Sequence, residues 1–548
     1  MFEPNLHVAG VLEELAFLLE ITGGNPFKIR AYRQAARTLK SFPEPLEDVR
    51  QLDGIKGIGA GIKGIVEEVL SGALPEELRE LRDQVPAGIF DIARLPGLGP
   101  KSLKTLMDSG ITDLETLEEK AKDKSLAALP GFGQKTVERI LESLEELKNH
   151  MDLHLGYDAL LFARRLTDKI CQFPGNKIIE TQITGEVRRF APQVTTVEIA
   201  VKTVPDFSEE DLAEFLLLES TGENGIYWHP EGYTVKLYFA TDKDFGTVLL
   251  RTTGPEEFTS AFGELLDAPD EKTLFANKGF FFVPPELRHT AFASDYLRGS
   301  PPRLVELGDI KGDLHVHSNY SDGVATILEM AKKAQSLGYQ YIGISDHSKS
   351  LVIANGLDGE RLLEQGREID ALCSAGDLDI WILKATEVDI LKDGSLDLDD
   401  DVLSKLDFVT ASVHSSFRMT KTEMTERIIR AMENPFVRSI GHITGRLLGR
   451  RPGYDIDWDR IIKEAKKTST ALELNASPER LDVPEEFLRE VTSNGVKIVI
   501  NTDAHSPEGL MDMVWGVMTA RRGLVEPHHV LNTYSAADFK SWLREGHK

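Results

Sequence analysis

Residues 313–323 read DLHVHSNYSDG, and three of their side chains, His315, His317 and Asp322, are potential metal ligands. More potential ligands follow in five short motifs toward the carboxyl terminus. They are His347 in ISDHS, Glu387 in ATEVDI, His414 in ASVHSS, His442 in IGHITGR, and Asp503 and His505 in NTDAHS. Imidazole nitrogens and carboxylate oxygens suit Zn²⁺, Mn²⁺ or Fe²⁺ better than Ca²⁺. These nine donors are too many for one ion and fit a cluster of two or three.

Several of these ligands directly follow apolar, β-branched runs such as YIGIS, FVTASV and VKIVIN. In a (β/α) barrel, this placement brings the ligands to the carboxyl ends of the strands, where active sites are built. A lone histidine is more often a packing or surface residue than a ligand. Six of the 14 histidines fall in these motifs, however, and this recurrence favours a metal site. Closely spaced divalent ions activate water and bind phosphodiester oxygens, so the sequence predicts a metal-dependent phosphoesterase.

The motifs and their order resemble the PHP (polymerase and histidinol phosphatase) family from Asp313 to about Lys548. The resemblance implies a distorted (βα)₇ barrel that binds Mn²⁺ and/or Zn²⁺, with a metal-bridging water or hydroxide as the nucleophile. It implies one ion held by the catalytic residues His315, His317, Glu387 and Asp503, a second held by Glu387, His414 and His442, and a third held by Asp322, His347 and His505. Arg446 and Arg450 lie near the ligand motifs and are candidates for binding phosphate oxygens. A solvated or ion-paired surface role is an equal alternative for both.

The chain has 548 residues, of which 28% are charged and 41% hydrophobic, as expected for several globular domains. No apolar stretch approaches the ~18–20 residues needed to span a bilayer, and the amino terminus lacks the pattern of a secretion signal. We expect Cys171 and Cys373 to be reduced thiols in a cytoplasmic protein without a membrane partner. The net charge of −26 restricts DNA binding to local basic faces and backbone amides, since nonspecific affinity comes from Lys and Arg.

A short repeat occurs in the amino-terminal part: GIKGIGAGI at 54–62, LPGLGPKSL at 95–103 and LPGFGQKTV at 129–137. Two close glycines permit a tight turn with positive φ that exposes the free N–H groups of the next helix. Such a helix terminus binds phosphate oxygens. This is the helix-hairpin-helix pattern of sequence-independent DNA contact, although a single copy could be an ordinary helical bundle turn. The candidate DNA-binding residues are Gly57, Gly59, Gly97, Gly99, Lys101, Gly131, Gly133 and Lys135.

The segment NPFKIRAYRQAARTLK, residues 25–40, adds a second candidate DNA contact. Arg30, Arg33 and Arg37 recur at three- and four-residue intervals and therefore share one helical face. We interpret this face as a clamp on a DNA phosphate or template strand. A solvated basic face is nearly as well supported.

These segments together resemble family X DNA polymerases, whose bacterial members carry a carboxy-terminal PHP domain. The resemblance covers nearly the whole chain and implies a multidomain α and α/β protein. Its expected parts are a helical DNA-binding domain with the first hairpin at 1–85, a fingers-like domain with the other two hairpins at 86–152, a palm/thumb-like α+β region at 153–295, a linker at 296–312 and the PHP barrel at 313–548.

The expected polymerase palm lacks its carboxylates. Family X palms bind two Mg²⁺ ions through three aspartates, and the corresponding positions here are Thr196, Glu198 and Lys236. Two Mg²⁺ ions need a dense carboxylate cage to offset their hydration and repulsion. We therefore expect Mg²⁺ not to bind there and polymerase activity to be lost or weak.

The function predicted from the sequence is DNA repair through phosphodiester hydrolysis by the PHP domain, acting on gapped, nicked or end-processed DNA. The 3′→5′ exonuclease polarity is what the family resemblance implies. Three alternatives stay open. They are an active gap-filling polymerase with an accessory PHP domain, a non-catalytic DNA-binding scaffold with structural metals, and a small-molecule phosphatase of the histidinol-phosphate type.

Overall fold

The computed structural model describes residues 3–545 except 41, 43, 56, 87, 94, 96–97, 151–152, 224, 290–292, 300–301 and 377. The chain divides into two compact units, Met1–Met151 and Asp152–Lys548. No described helix has both the length and the apolar character needed to cross a membrane.

The described secondary structure of the first unit is helical. Its α-helices are α1 (Glu3–Thr22), α2 (Pro26–Lys40), α3 (Ala60–Leu70), α4 (Glu76–Gln84), α5 (Gly88–Ala93), α6 (Pro100–Asp108), α7 (Leu114–Lys122) and α8 (Gln134–His150). One hydrophobic core runs from Val8 to Leu144 and draws side chains from all eight. The short amphipathic helices gain their stability mainly from this shared burial, since isolated helices of this length are marginal in water.

The glycine repeats form the turns that precede α3, α6 and α8. Gly57 and Gly131 have φ values of +94° and +90°, the left-handed region that glycine tolerates best. Gly59 and Gly99 are the N-cap residues of α3 and α6. Gly97 lies outside the described residues. The predicted positive φ is therefore found in the first and third repeats, at the first glycine of each Gly-x-Gly pair.

The second unit begins with a mixed α/β region. Its elements are β1 (His154–Leu155), α9 (Gly156–Cys171), β2 (Ile178–Thr184), α10 (Gly185–Arg188), β3 (Gln193–Val194), β4 (Thr196–Thr203), α11 (Glu209–Phe215), β5 (Glu219–Ser220), β6 (Ile226–Trp228), β7 (Thr234–Ala240), α12 (Phe245–Thr253), α13 (Glu256–Phe262), α14 (Glu271–Asn277) and α15 (Ala293–Tyr296). Five strands form a sheet in the order β2-β4-β7-β6-β5. Strands β4 and β7 are parallel, and the register pairs Glu198 with Lys236.

The rest of the second unit is a parallel barrel. Its elements are β8 (Gly312–Val316), α16 (Ile327–Ser336), β9 (Tyr341–Ile344), α17 (Gly359–Ala375), β10 (Trp381–Asp389), α18 (Asp400–Leu403), β11 (Phe408–Ser412), α19 (Lys421–Met432), β12 (Ser439–Ile440), α20 (Trp458–Thr468), β13 (Ala471–Asn475), α21 (Glu485–Ser493), β14 (Ile498–Asn501), α22 (Met513–Arg522) and α23 (Ala536–Glu545). The seven strands are ordered β14-β13-β12-β11-β10-β9-β8. The barrel is nearly closed, because the His317 amide donates to the Ala504 carbonyl at 2.8 Å beyond the ends of β8 and β14. The predicted fold class, with helical hairpins, an α/β region and a seven-stranded barrel, is confirmed.

Local sequence explains the alternation of strands and helices in the barrel. Every residue of β8, β9, β11, β13 and β14 is buried, as expected where helices cover a parallel sheet. Helices α16 and α19 start with capping boxes, formed by Thr326 with Glu329 and by Thr420 with Glu423. These capping boxes fix where the two helices begin, and the loops between strand and helix carry polar side chains at one end of the barrel.

The α/β region and the barrel are fastened together within the second unit. Arg522 forms an ion pair with Glu485 and also donates to the Arg189 carbonyl at 2.8 Å. Trp515 of the barrel contacts the rings of Tyr157 and Phe190. These contacts join the sheet region to the barrel within the second unit.

Candidate metal centre

All nine potential ligands lie at or just beyond the carboxyl ends of barrel strands. His315 and Glu387 lie within β8 and β10. The other seven follow β8, β9, β11, β12 and β14, and they are His317, Asp322, His347, His414, His442, Asp503 and His505. Since parallel strands place their carboxyl ends at one edge of a barrel, the nine side chains converge.

Glu387 is the centre of this cluster, and its side chain is fully buried. One carboxylate oxygen, Oε1, lies 2.9 Å from His442 Nε2 and 3.1 Å from His414 Nε2. The other, Oε2, lies 2.7 Å from His347 Nδ1 and 3.4 Å from His315 Nε2. The two carboxylate oxygens thus face different imidazoles.

Among the described residues, three groups of side chains bring their ligand atoms within 4.8 Å of one another. The first is His315, His317 and Asp503, the second is His347, Glu387 and His414, and the third is His317, Asp322, His347 and His505. These groups overlap the ligand sets implied by the family resemblance and differ in detail. His317 and His347 each take part in two groups, and His442 approaches Glu387 without joining a group.

The buried atoms of the cluster fit divalent cations. In the described part of the chain, six of these atoms make no hydrogen bond of acceptable geometry, although some of them lie close to one another: His315 Nε2, His317 Nδ1, His347 Nδ1, His442 Nδ1 and both carboxylate oxygens of Glu387. A buried polar atom without a partner costs roughly 1–3 kcal/mol. Ligation of cations would satisfy several of them at once, so the donor set suits metal binding.

Protonation states also suit metal binding for two of the ligands, His317 and Asp322. Burial, reinforced by the neighbouring His505 and His347, lowers the pKa of His317 to about 3. Burial opposes ionisation of Asp322, but the imidazoles of His505 and His347 outweigh it and lower the pKa of that carboxyl to about 2. At neutral pH these groups are therefore a neutral imidazole and a carboxylate, the forms that ligate metal.

A second layer of polar groups orients the ligands, and the sequence analysis missed it. His315 Nδ1 lies 2.6 Å from Glu473 Oε2, and His414 Nδ1 lies 2.5 Å from Asp389 Oδ1. The Asn475 amide donates to Asp503 Oδ2 at 3.0 Å. Such partners fix the ring orientation and tautomer of a ligating histidine. The sequence carries one signal for these partners, since residues two apart on a strand point to the same side. Asp389 follows the ligand Glu387 by two residues, and Glu473 and Asn475 have the same spacing.

Two ligands have unusual backbone conformations. His442 and Asp503 have φ values of +47° and +57°, in the left-handed region. A Cβ on the preceding Gly441 would lie 2.1 Å from Ser412 Oγ, so a side chain there would displace the Ser412 hydroxyl. Backbone strain of this kind costs about 1–3 kcal/mol and clusters at functional sites.

The arginines near the cluster differ in what their guanidinium groups contact. Arg446 donates to the carbonyls of Arg480 and Leu481, and the exposed Arg450 lies 3.3 Å from Glu479. Arg480, which the sequence analysis did not single out, places its Nε 3.5 Å from Asp503 Oδ2. Of these three guanidinium groups, that of Arg480 has a direct contact with a potential ligand.

The candidate DNA-binding residues of the first unit are exposed. Lys101 and Lys135 lie on the surface in the first turns of α6 and α8. A Cβ added to Gly59, Gly99 or Gly133 would meet no atom within 4 Å, so the space beside these helix starts is open. In α2, Arg33 pairs with Glu20, and Arg30 lies 4.9 Å from the ring centroid of Phe27.

The expected polymerase positions lie side by side on β4 and β7. Thr196 pairs with Thr234 and Glu198 with Lys236. The Tyr238 hydroxyl donates to Glu198 Oε2 at 2.7 Å. Burial raises the pKa of the Glu198 carboxyl, although Tyr238 and Lys236 act in the opposite direction.

Comparison with known proteins identifies three domain families along the chain. A helix-hairpin-helix domain matches residues 3–73, a SAM-like helix-hairpin-helix tandem matches residues 90–146, and a PHP domain matches residues 313–477. The DNA polymerase/3′-5′ exonuclease PolX of Bacillus subtilis is 38% identical, with 97% of this chain and 98% of that protein aligned.

Other relatives match part of the chain. A protein of Acetivibrio thermocellus named a probable phosphatase is 31% identical over 35% of this chain and 78% of its own length. Another of that name, from a Thermoanaerobacter species, is 30% identical over 42% of this chain and 94% of its own length.

Proposed function

This chain belongs to the PolX family of family X DNA polymerases, and from that membership we propose that its PHP barrel hydrolyses DNA phosphodiesters from the 3′ end. The observation that carries the proposal is the convergence of nine ligands around Glu387 on a chain with helix-hairpin-helix domains. The sequence boundaries 1–85, 86–152, 153–295, 296–312 and 313–548 are proposed as its domains and linker.

The cluster is buried on one side and open on the other. The side chains of His315, His317 and Glu387 are fully buried, whereas Asp322 and His505 are 34% and 40% exposed. A phosphodiester therefore enters from the side of Asp322 and His505.

We propose that Mn²⁺ and/or Zn²⁺ occupy the cluster, held by the nine ligands in two or three sites. Bound cations supply an activated water and neutralise charge on the phosphate. His315, His317, Glu387 and Asp503 would hold the most buried cations, while Glu473 and Asp389 keep the imidazoles of His315 and His414 oriented. Arg480, with its guanidinium beside Asp503, is placed to bind a phosphate oxygen. Arg446 supports the carbonyls around it, and Arg450 remains a weaker candidate for phosphate contact.

The helical unit is proposed to hold gapped or nicked DNA by its phosphates. The helix starts are accessible, because the glycines beside them are exposed: Gly57, Gly59, Gly99, Gly131 and Gly133. Lys101 and Lys135 lie next to these glycines and are exposed too. The exposed face of Arg30, Arg33 and Arg37 adds positive charge, reduced at Arg33 by its pairing with Glu20.

The hairpin contact is tested by placing a negative charge at one helix start. Gly99 is an N-cap with φ −82° and ψ 170°, an extended backbone that any residue adopts. Aspartate and serine are both favoured N-caps, so Gly99→Asp and Gly99→Ser should fold equally well. We expect Gly99→Asp to weaken binding of gapped DNA roughly ten-fold, about 1.4 kcal/mol, by repelling a phosphate. Gly99→Ser should bind within two-fold of the unmodified chain, as measured by fluorescence anisotropy. Equal affinities of the two variants would exclude this contact.

We propose that the palm-like region has lost polymerase chemistry. Thr196 and Lys236 supply no carboxylate, and Glu198 is engaged by Tyr238 and has a raised pKa. One hydrogen-bonded carboxyl beside an ammonium group does not form the carboxylate cage that two Mg²⁺ ions need.

Hydrolysis of a small phosphate monoester is a second candidate function, since proteins named probable phosphatases align with part of this chain. The two functions are separated with gapped DNA that carries a 5′ label on the primer strand. Stepwise shortening of that strand in Mn²⁺ is expected for the exonuclease. Hydrolysis of small monoesters without DNA shortening would overturn the proposed function in favour of the phosphatase.

A further inference from the structure

Exposed apolar side chains of the barrel lie on one face. Within the described residues from 313 onward, the exposed large hydrophobic residues are Val324, Val352, Ile353, Leu391 and Met511. All five lie in loops that follow β8, β9, β10 or β14, at the end of the barrel that carries the metal ligands. The loops at the opposite end contribute none within this part of the structure. The mouth of the metal centre therefore has an apolar rim.

Val352 and Ile353 are the most prominent residues of this rim, with 82% and 95% of their surface exposed. They lie in the short 3₁₀ turn Val352–Ala354, within the loop after His347. Ala354 and Leu357 of the same loop are buried. The loop thus packs one side onto the barrel and presents two adjacent aliphatic side chains to solvent.

The loop is firmly held beside two ligands. The Leu357 amide donates to the His347 carbonyl at 2.7 Å, which ties the end of the loop back to that ligand. Arg361 donates to the carbonyl oxygens of Asn355 at 2.8 Å and Tyr320 at 2.6 Å. Tyr320 lies two residues before the ligand Asp322. Val352 and Ile353 are therefore held at the side of the cluster where Asp322 is exposed.

The stem of the loop is equally constrained. A Cβ on Gly356 would lie 2.0 Å from the Ser348 carbonyl oxygen, so the two strands of the stem touch. The Ser350 amide donates to Asp397 Oδ2 at 2.8 Å. Single exposed aliphatic residues are common on protein surfaces. An adjacent, nearly fully exposed pair on a constrained loop beside a metal cluster instead indicates a contact surface.

Resting on the function proposed above, we propose that Val352 and Ile353 form a wedge that stacks on the terminal base pair of duplex DNA and separates the 3′ nucleotide from its partner. A 3′ phosphodiester must enter the cluster beside Asp322, which brings its base and the next base pair to the rim. Apolar side chains that insert between bases unstack them. The exposed Lys349, three residues before Val352, adds positive charge for the adjacent phosphate.

The wedge predicts a selective loss of activity on paired ends. The double variant Val352→Ser/Ile353→Ser should shorten a blunt or recessed 3′ end at least ten-fold more slowly. Single-stranded DNA and primers with three unpaired 3′ nucleotides should be shortened at the unmodified rate, because no base pair needs opening. Leu266→Ser, which alters a side chain 59% exposed outside the barrel, should change neither rate.

A second readout does not depend on hydrolysis. A 2-aminopurine at the 3′ end of a duplex, with a terminal phosphorothioate linkage that resists cleavage, fluoresces more when unstacked. Binding of the unmodified chain in Mn²⁺ should raise this fluorescence at least two-fold, and binding of the double variant should not. Ile353→Phe, which keeps a large apolar side chain, should preserve both the fluorescence rise and the activity on duplex ends.

The two proposals fail in different ways. If the unmodified chain does not shorten single-stranded DNA, the proposed exonuclease function is wrong. The fluorescence measurement still tests whether Val352 and Ile353 unstack the terminal base, because it does not depend on hydrolysis. If single strands are degraded but the double variant keeps the unmodified ratio of duplex to single-strand rates, the wedge is wrong. That result would point to a protein partner as the occupant of the rim.

Discussion

Replacing Asp503 with asparagine is expected to reduce exonuclease activity by about 10³-fold or more, equivalent to about 4 kcal/mol in the activation barrier. Asp503 Oδ1 lies 3.0 Å from His317 Nε2 and 3.7 Å from His315 Nε2, so its carboxylate is shared by a whole ligand group. Asparagine keeps the shape of the side chain and removes its charge. It also tolerates the left-handed backbone at this position, where φ is +57°. The loss should therefore reflect metal binding, not misfolding. The measurement is the initial rate of 5′-labelled primer shortening in Mn²⁺.

His317→Ala should produce a loss of similar size, since His317 belongs to two of the three ligand groups. His528→Ala is the matched control, because its imidazole is 64% exposed and lies outside those groups. The control should retain full activity, and thermal melting should show that all three variants are folded. Activity within ten-fold of the unmodified chain in both Asp503→Asn and His317→Ala would refute the catalytic assignment.

The second large effect is an absence of DNA synthesis. With a gapped primer-template, Mg²⁺ and all four deoxynucleotides, we expect no detectable primer extension by this chain. PolX of Bacillus subtilis, run in the same assay, provides the positive control that its name implies. The physical reason is that Lys236 pairs in register with Glu198, so strand β7 supplies an ammonium group at this position and no carboxylate. The assay is then repeated in Mn²⁺ with the Asp503→Asn variant. Because this variant should not degrade DNA, hydrolysis cannot hide newly synthesised DNA.

Robust extension in either metal would overturn the proposed loss of polymerase activity. Glu198→Gln would then show whether that carboxylate supports synthesis. Conversely, exonuclease activity should be unchanged in Glu198→Gln, because the β4 position lies outside the metal-ligand groups of the barrel.

The sequence predicted the fold class and the convergence of the ligands for a simple reason. Buried parallel strands have continuous apolar runs, and a histidine or aspartate that ends such a run is carried to the same end of the barrel as the others. His347 after β9 and Asp503 after β14 illustrate this rule. The repeated glycines predicted tight turns for a similar reason. The positive φ found at Gly57 and Gly131 is a backbone conformation that glycine permits.

Other features of the site depend on side-chain placement that no short motif records. Glu473 is one acid among many in the sequence, and only its burial against His315 gives it a role. Arg446 lies close to a ligand motif, yet its guanidinium is used on backbone carbonyls. The exposure of Val352 and Ile353 could not be predicted from the sequence either, since aliphatic pairs in a loop ordinarily pack inward.

Counting bound cations tests most directly whether this cluster is a multinuclear metal centre. The protein is stripped with a chelator, equilibrated with Mn²⁺, freed of excess metal by gel filtration and analysed for manganese per chain by mass spectrometry. We predict two or three ions per chain for the unmodified protein and for His528→Ala, and at least one fewer for Asp503→Asn. One ion or none in the unmodified protein, or an unchanged count in Asp503→Asn, would contradict it.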